Sequence, residues 1–229
     1  MALEVQGLSK RFGKLHALTD VSFHVGSGEL LALIGPNGAG KSTLFECMAG
    51  VMPYDSGSVR VDGRVVDTRD LFYVPDGIAP WPAQPVGWAL DYVVGFFGGR
   101  RELRDQVIAQ LDLSGLLHQP IGTLSKGQRK RALLAVGLLT PQQVLLIDEP
   151  LDGLDLRQMR DVAAALRVHA ARGRTLFLSI HQISDAARFC DRFVLLSGGR
   201  ICGEGTIPEL ALAARVESCD LEEVFLALT

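Results

Sequence analysis

The stretch Gly35-Pro36-Asn37-Gly38-Ala39-Gly40-Lys41-Ser42-Thr43 constrains this chain more than any other. Before it, Leu30-Leu31-Ala32-Leu33-Ile34 is the short apolar run of a buried strand, and residues 44–49 after it read as a helix. A Gly-rich turn between a strand and a helix, closing on Lys-Ser, is a phosphate-binding P-loop. Its glycines let backbone N–H groups turn inward around phosphates, and the helix N-terminus adds a partial positive charge. Lys41 is placed to reach the β- and γ-phosphates of a nucleotide, and Ser42 to hold Mg²⁺.

The 229 residues suffice for one large α/β domain with a small appended lobe, but not for two nucleotide domains. With 48% hydrophobic and 21% charged residues the chain can pack a core, which excludes a disordered class. A formal net charge of −3 gives no support to a nucleic-acid surface. The nearest approach to a membrane-spanning run, residues 86–99, is short and interrupted by Asp91. The first residues lack the basic region and apolar core of a signal peptide, so a cytoplasmic location is expected. Cys47, Cys190, Cys202 and Cys219 have no CxxC spacing and read as ordinary thiols.

The segments around the P-loop are β-rich. Residues 3–6 and 17–25 read as strands, and Ser58-Val-Arg-Val61 and Arg64-Val-Val66 flank Asp62-Gly63, a strong hairpin signal. Leu71-Phe-Tyr-Val74 is a further short strand, and the polar alternation of this material predicts an antiparallel sheet with one wet face. Beyond Pro75 the character changes. Prolines at 80, 82 and 85 precede a helix over residues 86–97, on which Trp88, Tyr92 and Phe96 share one face. Two readings of that stripe stand: core packing of a small helical lobe, or a docking surface for another protein.

Downstream, Ser125 and Gln128 fit a capping box at the start of a long apolar helix, and Ser125, Gly127 and Lys126 together could also face a phosphate. Residues 143–147 read as a buried parallel strand ending in Asp148-Glu149-Pro150. Carboxylates at the carboxyl end of such a strand lie at the ligand edge of an open α/β sheet. Asp148 suits Mg²⁺ coordination, and Glu149 could position or deprotonate an attacking water. Asp155 can cap the helix over residues 156–169, and His181 ends the parallel strand over 175–180. A closing hairpin over residues 192–204 and two short helices, 208–215 and 221–228, finish the chain.

The order of P-loop, Leu124-Ser-Lys-Gly-Gln128, Asp148-Glu149-Pro150, Leu151-Asp-Gly-Leu-Asp155 and strand-His181 resembles the nucleotide-binding subunit of ABC transporters. The resemblance covers the whole chain. It implies a P-loop NTPase core with an antiparallel β subdomain and a helical subdomain: residues 1–75 and 140–229 form the nucleotide core, and 76–139 the helical part. It also implies ATP and Mg²⁺ as ligands, adenine stacked on Phe12, Asp155 in the D-loop, and His181 as the switch histidine on the γ-phosphate. Ser125, Gly127 and Gln128 of a second ATPase subunit would complete the site in a head-to-tail dimer. A polytopic membrane permease would dock near Trp88 and Tyr92, holding the protein on the inner face of the membrane. The ending over residues 221–229 is similar to members serving ABC-2 exporters. Asp76 stands where the family usually has a Gln touching Mg²⁺ and the attacking water, so Asp76 joins Glu149 and His181 as a catalytic candidate and Ser42 and Asp148 as a metal candidate. Lys126 stands where Gly is commonest. The alternatives are a soluble ABC-type ATPase outside transport or an ATP-binding regulatory subunit.

Overall fold

The computed structural model describes residues 3–67, 69–217 and 220–229. It begins with a long antiparallel hairpin, β1 (Leu3–Phe12) and β2 (Leu15–Val25), turning at Gly13-Lys14. After β3 (Leu30–Ile34) comes α1 (Lys41–Met48), then a second hairpin of β4 (Ser56–Val61) and β5 (Arg64–Val65). Asp62 and Gly63 both take positive φ there, 48° and 75°, as a two-residue type I′ turn requires. β6 (Leu71–Val74) leads to α2 (Val86–Phe97), α3 (Arg101–Gln110), 3₁₀ turns at Ser114–Leu116 and Ile121–Thr123, and α4 (Lys126–Leu139). β7 (Val144–Asp148), α5 (Leu156–Ala171), β8 (Thr175–Ile180), α6 (Ile183–Phe189), β9 (Arg192–Ser197) and β10 (Arg200–Gly205) follow. The chain closes with α7 (Ile207–Ala214) and α8 (Leu221–Leu228).

Two sheets organise these elements. One is antiparallel, in the order β2-β1-β4-β5; the other is six-stranded, β10-β9-β3-β8-β7-β6, and parallel except for β10. The strand period of two divides each central strand between two cores. Leu31 and Leu33 of β3 face the antiparallel sheet and α1, meeting Val5, Leu8, Val21 and Phe45. Ala32 and Ile34 face the other way, into the helical layer built on α2, α4 and α5. Phe177 of β8 touches Phe23 of β2 and Phe45 of α1 edge-on, with centroids 5.5 and 5.0 Å apart. β3, β7 and β8 are buried along their whole length, as strands covered on both faces must be.

The structure differs from the sequence reading at Leu71–Val74. This strand lies on the edge of the main sheet, parallel to β7, with Leu71 opposite Val144 and Val74 opposite Ile147. Leu71, Phe72, Tyr73 and Val74 are all apolar or aromatic, with the outer two buried and the middle two half-buried, and four such residues carry no mark of the sheet they join. α6 is an element the sequence reading did not contain. Cys47, Cys190 and Cys202 are free thiols, and Cys219 lies outside the described residues. No described helix is long and apolar enough to cross a membrane.

The aromatic stripe is exposed. Trp88, Tyr92 and Phe96 are 41, 47 and 69% accessible, while Ala89, Leu90, Val93 and Val94 carry the buried face of α2. Trp88 stacks on Tyr92 and Tyr92 on Phe96, at 5.4 and 6.0 Å, and Trp81 meets the first two edge-on. The core-packing reading of these side chains is therefore set aside.

Candidate functional site

The P-loop joins the carboxyl end of β3 to α1 and is shaped by its neighbours. A Cβ at position 35 would lie 2.2 Å from the Leu196 carbonyl oxygen, and one at 40 would lie 2.7 Å from that of Ala17. Gly40 also has φ of 106°, in the region that favours glycine. Pro36 and Ala39 brace the turn: Ala39 N–H donates to Pro36 at 3.1 Å, and Ala39 carbonyl accepts from Gly199 N–H at 3.1 Å. Gly40 precedes α1 without a side-chain cap, so the first N–H groups of the helix point unclaimed into the loop. Lys41 Nζ curls back to donate to Gly35 carbonyl at 2.7 Å and Pro36 carbonyl at 3.3 Å. Burial lowers the pKa of this amine, against the raising influence of Glu149 and Asp148.

A cleft of about 480 Å³ opens in front of the loop, lined by Asn37, Gly38, Lys41, Ser42 and Thr43, with Phe12 at one side and Glu149 at another. Phe12 is half-exposed at the tip of the β1–β2 hairpin, with Lys10 Nζ 5.3 Å from its ring centroid. An aromatic face, an uncapped helix start, an ammonium and a hydroxyl share one opening, which fits a nucleotide carrying several phosphates.

Asp148 ends β7 and is buried. One of its oxygens accepts the Ser179 hydroxyl of β8, and the other accepts Tyr73 OH of β6 at 3.3 Å. Burial, then the charge of Asp148, pushes the Tyr73 phenol above its ordinary range, so it donates to the carboxylate. A carboxylate has about four lone-pair sites. Two are spent on these hydroxyls, and the rest suit a hard cation, which also fits Mg²⁺ being held by few protein groups plus phosphate. Among the described residues no cluster of His, Cys, Asp or Glu could hold a metal without such help.

Glu149 takes φ of 48°, unusual for a side chain of its size. Its N–H donates to Ser179 carbonyl at 3.2 Å and to Ser179 Oγ at 3.0 Å, and its carbonyl accepts from Lys130 Nζ. Lys130 is buried and also 3.1 Å from Asp76. His181 lines a neighbouring cleft of about 120 Å³ with Glu149, Asp152 and Ser179. Asp152 pairs with Lys126, whose hydrogen bond holds its pKa below the usual carboxylate range against the effect of burial.

The structure thus gathers the P-loop, Phe12, Ser42 and Glu149 around one cleft, with Asp148 just behind them. It places Asp76 in an adjoining cleft with Lys130 and Asp148. Ser125, Gly127 and Gln128 lie at the start of α4, outside the P-loop cleft. Ser125 Oγ accepts Gln128 N–H at 3.3 Å, and Ser125 N–H donates to the Gln128 side chain at 2.9 Å, the expected capping box. Asp155 caps α5 by accepting Gln158 N–H at 2.9 Å. Sequence reasoning did not single out Ser179, Tyr73 or Lys130. None of them stood out: Ser179 and Tyr73 lie within apolar strands, and Lys130 is one of four cations among the first six residues of α4.

Residues 18–152 match the family model described as ABC transporter. The chain belongs to the ABC transporter family. It is 32% identical over 238 residues to the Nod factor export ATP-binding protein I of Rhizobium sp. (strain N33), covering 98% of this chain and 77% of that protein. It is 33% identical over 243 residues to the hemin import ATP-binding protein HmuV of Bradyrhizobium diazoefficiens, covering 97% and 88%. A solved structure of the ATP binding subunit of an ABC transporter superposes with a TM-score of 0.90 at 27% identity, covering 100% of this chain and 99% of that one. A bacterial Atm1-family ABC exporter with ATP bound shares the fold at a TM-score of 0.83 and 23% identity, over 98% of this chain and 41% of that one. The protein is an ATP-binding subunit of an ABC transporter, an ATPase whose hydrolysis is coupled to transport.

Proposed function

We propose that this subunit hydrolyses ATP with Glu149 as the group that polarises the attacking water. The observation that carries the reading is the meeting of Lys41, Ser42 and Glu149 around one cleft, with Asp148 anchored by two hydroxyls beside it. Adenine stacks on Phe12, and Gly38, Gly40, Lys41 and Thr43 bind the phosphates through backbone N–H groups and the ammonium. Ser42 and Asp148 would hold Mg²⁺, which would offset the negative charge of the phosphates. His181 orients the γ-phosphate. In P-loop phosphoryl transfer, positioning and charge stabilisation supply nearly all the acceleration.

Ser125, Gly127, Gln128 and Asp155 of the same chain do not line this cleft. These residues serve a second copy of the chain, so that two ATP molecules lie between two subunits arranged head to tail. Residues 76–139 form the helical subdomain, and a polytopic permease docks on it beside Trp88 and Tyr92, holding the protein at the inner face of the membrane. Phe96 and Phe97 also border an apolar cleft of about 820 Å³ with Val51, Ile78 and Leu71, a groove suited to a permease helix. Relatives named for export and for import match at similar identity. The ending over residues 221–229 favours export.

Glu149→Gln tests this. Loss of a general base costs about 10²- to 10⁴-fold in rate. We expect turnover to fall by that order, ATP binding to persist, and the variant to become dimeric in light scattering when ATP is added. Wild-type turnover in the variant would remove Glu149 from its role, and a monomer at saturating ATP would remove the dimer.

A further inference from the structure

Lys130 is a buried cation whose partners all belong to the hydrolytic edge of the sheet. Its Nζ is 3.1 Å from Asp76 Oδ1, donates to the carbonyl of Glu149, and stands 3.8 Å from Asp152. The parallel register explains the meeting. Val74 of β6 lies opposite Ile147 of β7, so Asp76 and Glu149 each stand two residues past the same rung. α4 crosses above that pair and drops a single ammonium between them.

Two features of this arrangement demand a holder. Glu149 sits at φ of 48°, a conformation that costs about 1–3 kcal/mol and persists only where the surroundings over-determine it. Ser179 fixes the N–H side of Glu149, and Lys130 fixes the carbonyl side. Asp76, for its part, adds a carboxylate close to Asp148 and Glu149, where triphosphate must also come; Lys130 neutralises it within the same chain. An ammonium taken out of water needs such partners as much as they need it.

We propose that Lys130 is a positioning residue for ATP hydrolysis, one ammonium that holds the Glu149 backbone in place and offsets the charge of Asp76. Asp76 is then committed to an ion pair rather than to Mg²⁺, and the two side chains function as a unit. The proposal rests on Glu149 being the group that activates water. It concerns the rate of the chemical step, not the affinity for nucleotide, because Lys130 does not line the P-loop cleft.

The test compares wild type, Glu149→Gln, Lys130→Gln, Lys130→Arg and the double variant Asp76→Gln/Lys130→Gln in the full chain. Steady-state kcat and KM are measured together with ATP binding and thermal melting. Misplacing a catalytic group by about 1 Å costs on the order of 10²-fold. We expect Lys130→Gln to lower kcat by about 10- to 100-fold with KM and ATP affinity within about 3-fold of wild type, a loss confined to the transition state. Lys130→Arg, which keeps the charge and a donor, should recover most of the turnover, whereas the double variant, which removes the unpaired carboxylate but not the need to hold the Glu149 carbonyl, should recover only part of it. If Lys130→Gln is poorly folded, Lys130→Arg carries the test by itself: a folded Lys130→Arg that binds ATP without turnover would overturn the proposal. So would a Lys130→Gln enzyme with wild-type kcat, or one whose only change is a raised KM. Should Glu149→Gln turn over normally, the underlying assignment fails and the proposal falls with it; a dead Glu149→Gln beside an unaffected Lys130→Gln refutes the proposal alone.

Discussion

Replacing Ser179 by Ala should expose how much of the site rests on one buried hydroxyl. Ser179 is fully buried in β8, donates to the Asp148 carboxylate and accepts Glu149 N–H at 3.0 Å. Alanine removes both bonds in a strand that is closed to water. The bond to the carboxylate is worth about 1.5–3 kcal/mol, and the bond from the amide about 0.5–1.5 kcal/mol. The second loss falls at the low end of its range, because Glu149 N–H keeps the Ser179 carbonyl at 3.2 Å. The sum is about 2–4 kcal/mol, and a domain of this size loses about 2–4 °C per kcal/mol. Ser179→Ala should therefore melt about 5–15 °C below wild type by calorimetry. Its kcat should also fall, since Asp148 would hang from Tyr73 alone. Ser179→Cys, with a weak donor of similar shape, should lie between. A melting temperature unchanged in Ser179→Ala would show that Asp148 does not depend on this hydroxyl, and with it would go the argument that β8 organises the end of β7.

Two further outcomes are expected. Burial, reinforced by Arg174 and Arg172, pushes His169 down from 6.5 to about 4. The unfolded chain therefore binds a proton that the folded chain refuses between those values, so this contribution to stability is complete above about pH 6.5 and is lost as pH falls towards 4. Melting temperature measured against pH should drop across that window, and His169→Leu should flatten the drop; identical profiles would refute the role of burial. Trp88→Ala and Tyr92→Ala remove exposed rings, so each should shift melting by only a few tenths of the effect of Ser179→Ala while reducing co-fractionation with membranes from expressing cells. A large loss of stability in the isolated subunit would instead make the stripe a packing element.

What the sequence made legible was what neighbours along the chain decide. The P-loop, the capping box at Ser125, the cap at Asp155, and the limits of α2 follow from local spacing and turn chemistry. The placement of β6 did not, because its partner strand begins at Val144, far away in the chain, and four apolar or aromatic residues carry no mark of strand direction. α6 escaped for a related reason: seven residues capped by no side chain, held by burying Ala186 and Phe189 rather than by their own propensity. The same holds within the site. Asp148 and Glu149 are legible as motif positions, whereas Ser179, Tyr73 and Lys130 reach them only through the register of β6, β7 and β8 and the path of α4.

α4 is secured to the sheet at both ends. Near its start Lys130 holds Asp76 and the Glu149 carbonyl, and Lys126 holds Asp152. At its other end, buried Arg174 donates to the carbonyl of Leu138 in the last turn at 2.9 Å and to that of Gln142 just beyond it at 3.0 Å. A helix of this length spans about 20 Å. Fastened so, it behaves as a strut, and its leading tip, Ser125 with Gly127 pressed against the Gly153 carbonyl, is stiff before anything touches it. Ordering a loose side chain at an interface costs about 0.5–1.5 kcal/mol. A surface that meets this tip is spared that cost, so the energy of contact goes into drawing two bodies together instead of into freezing one of them.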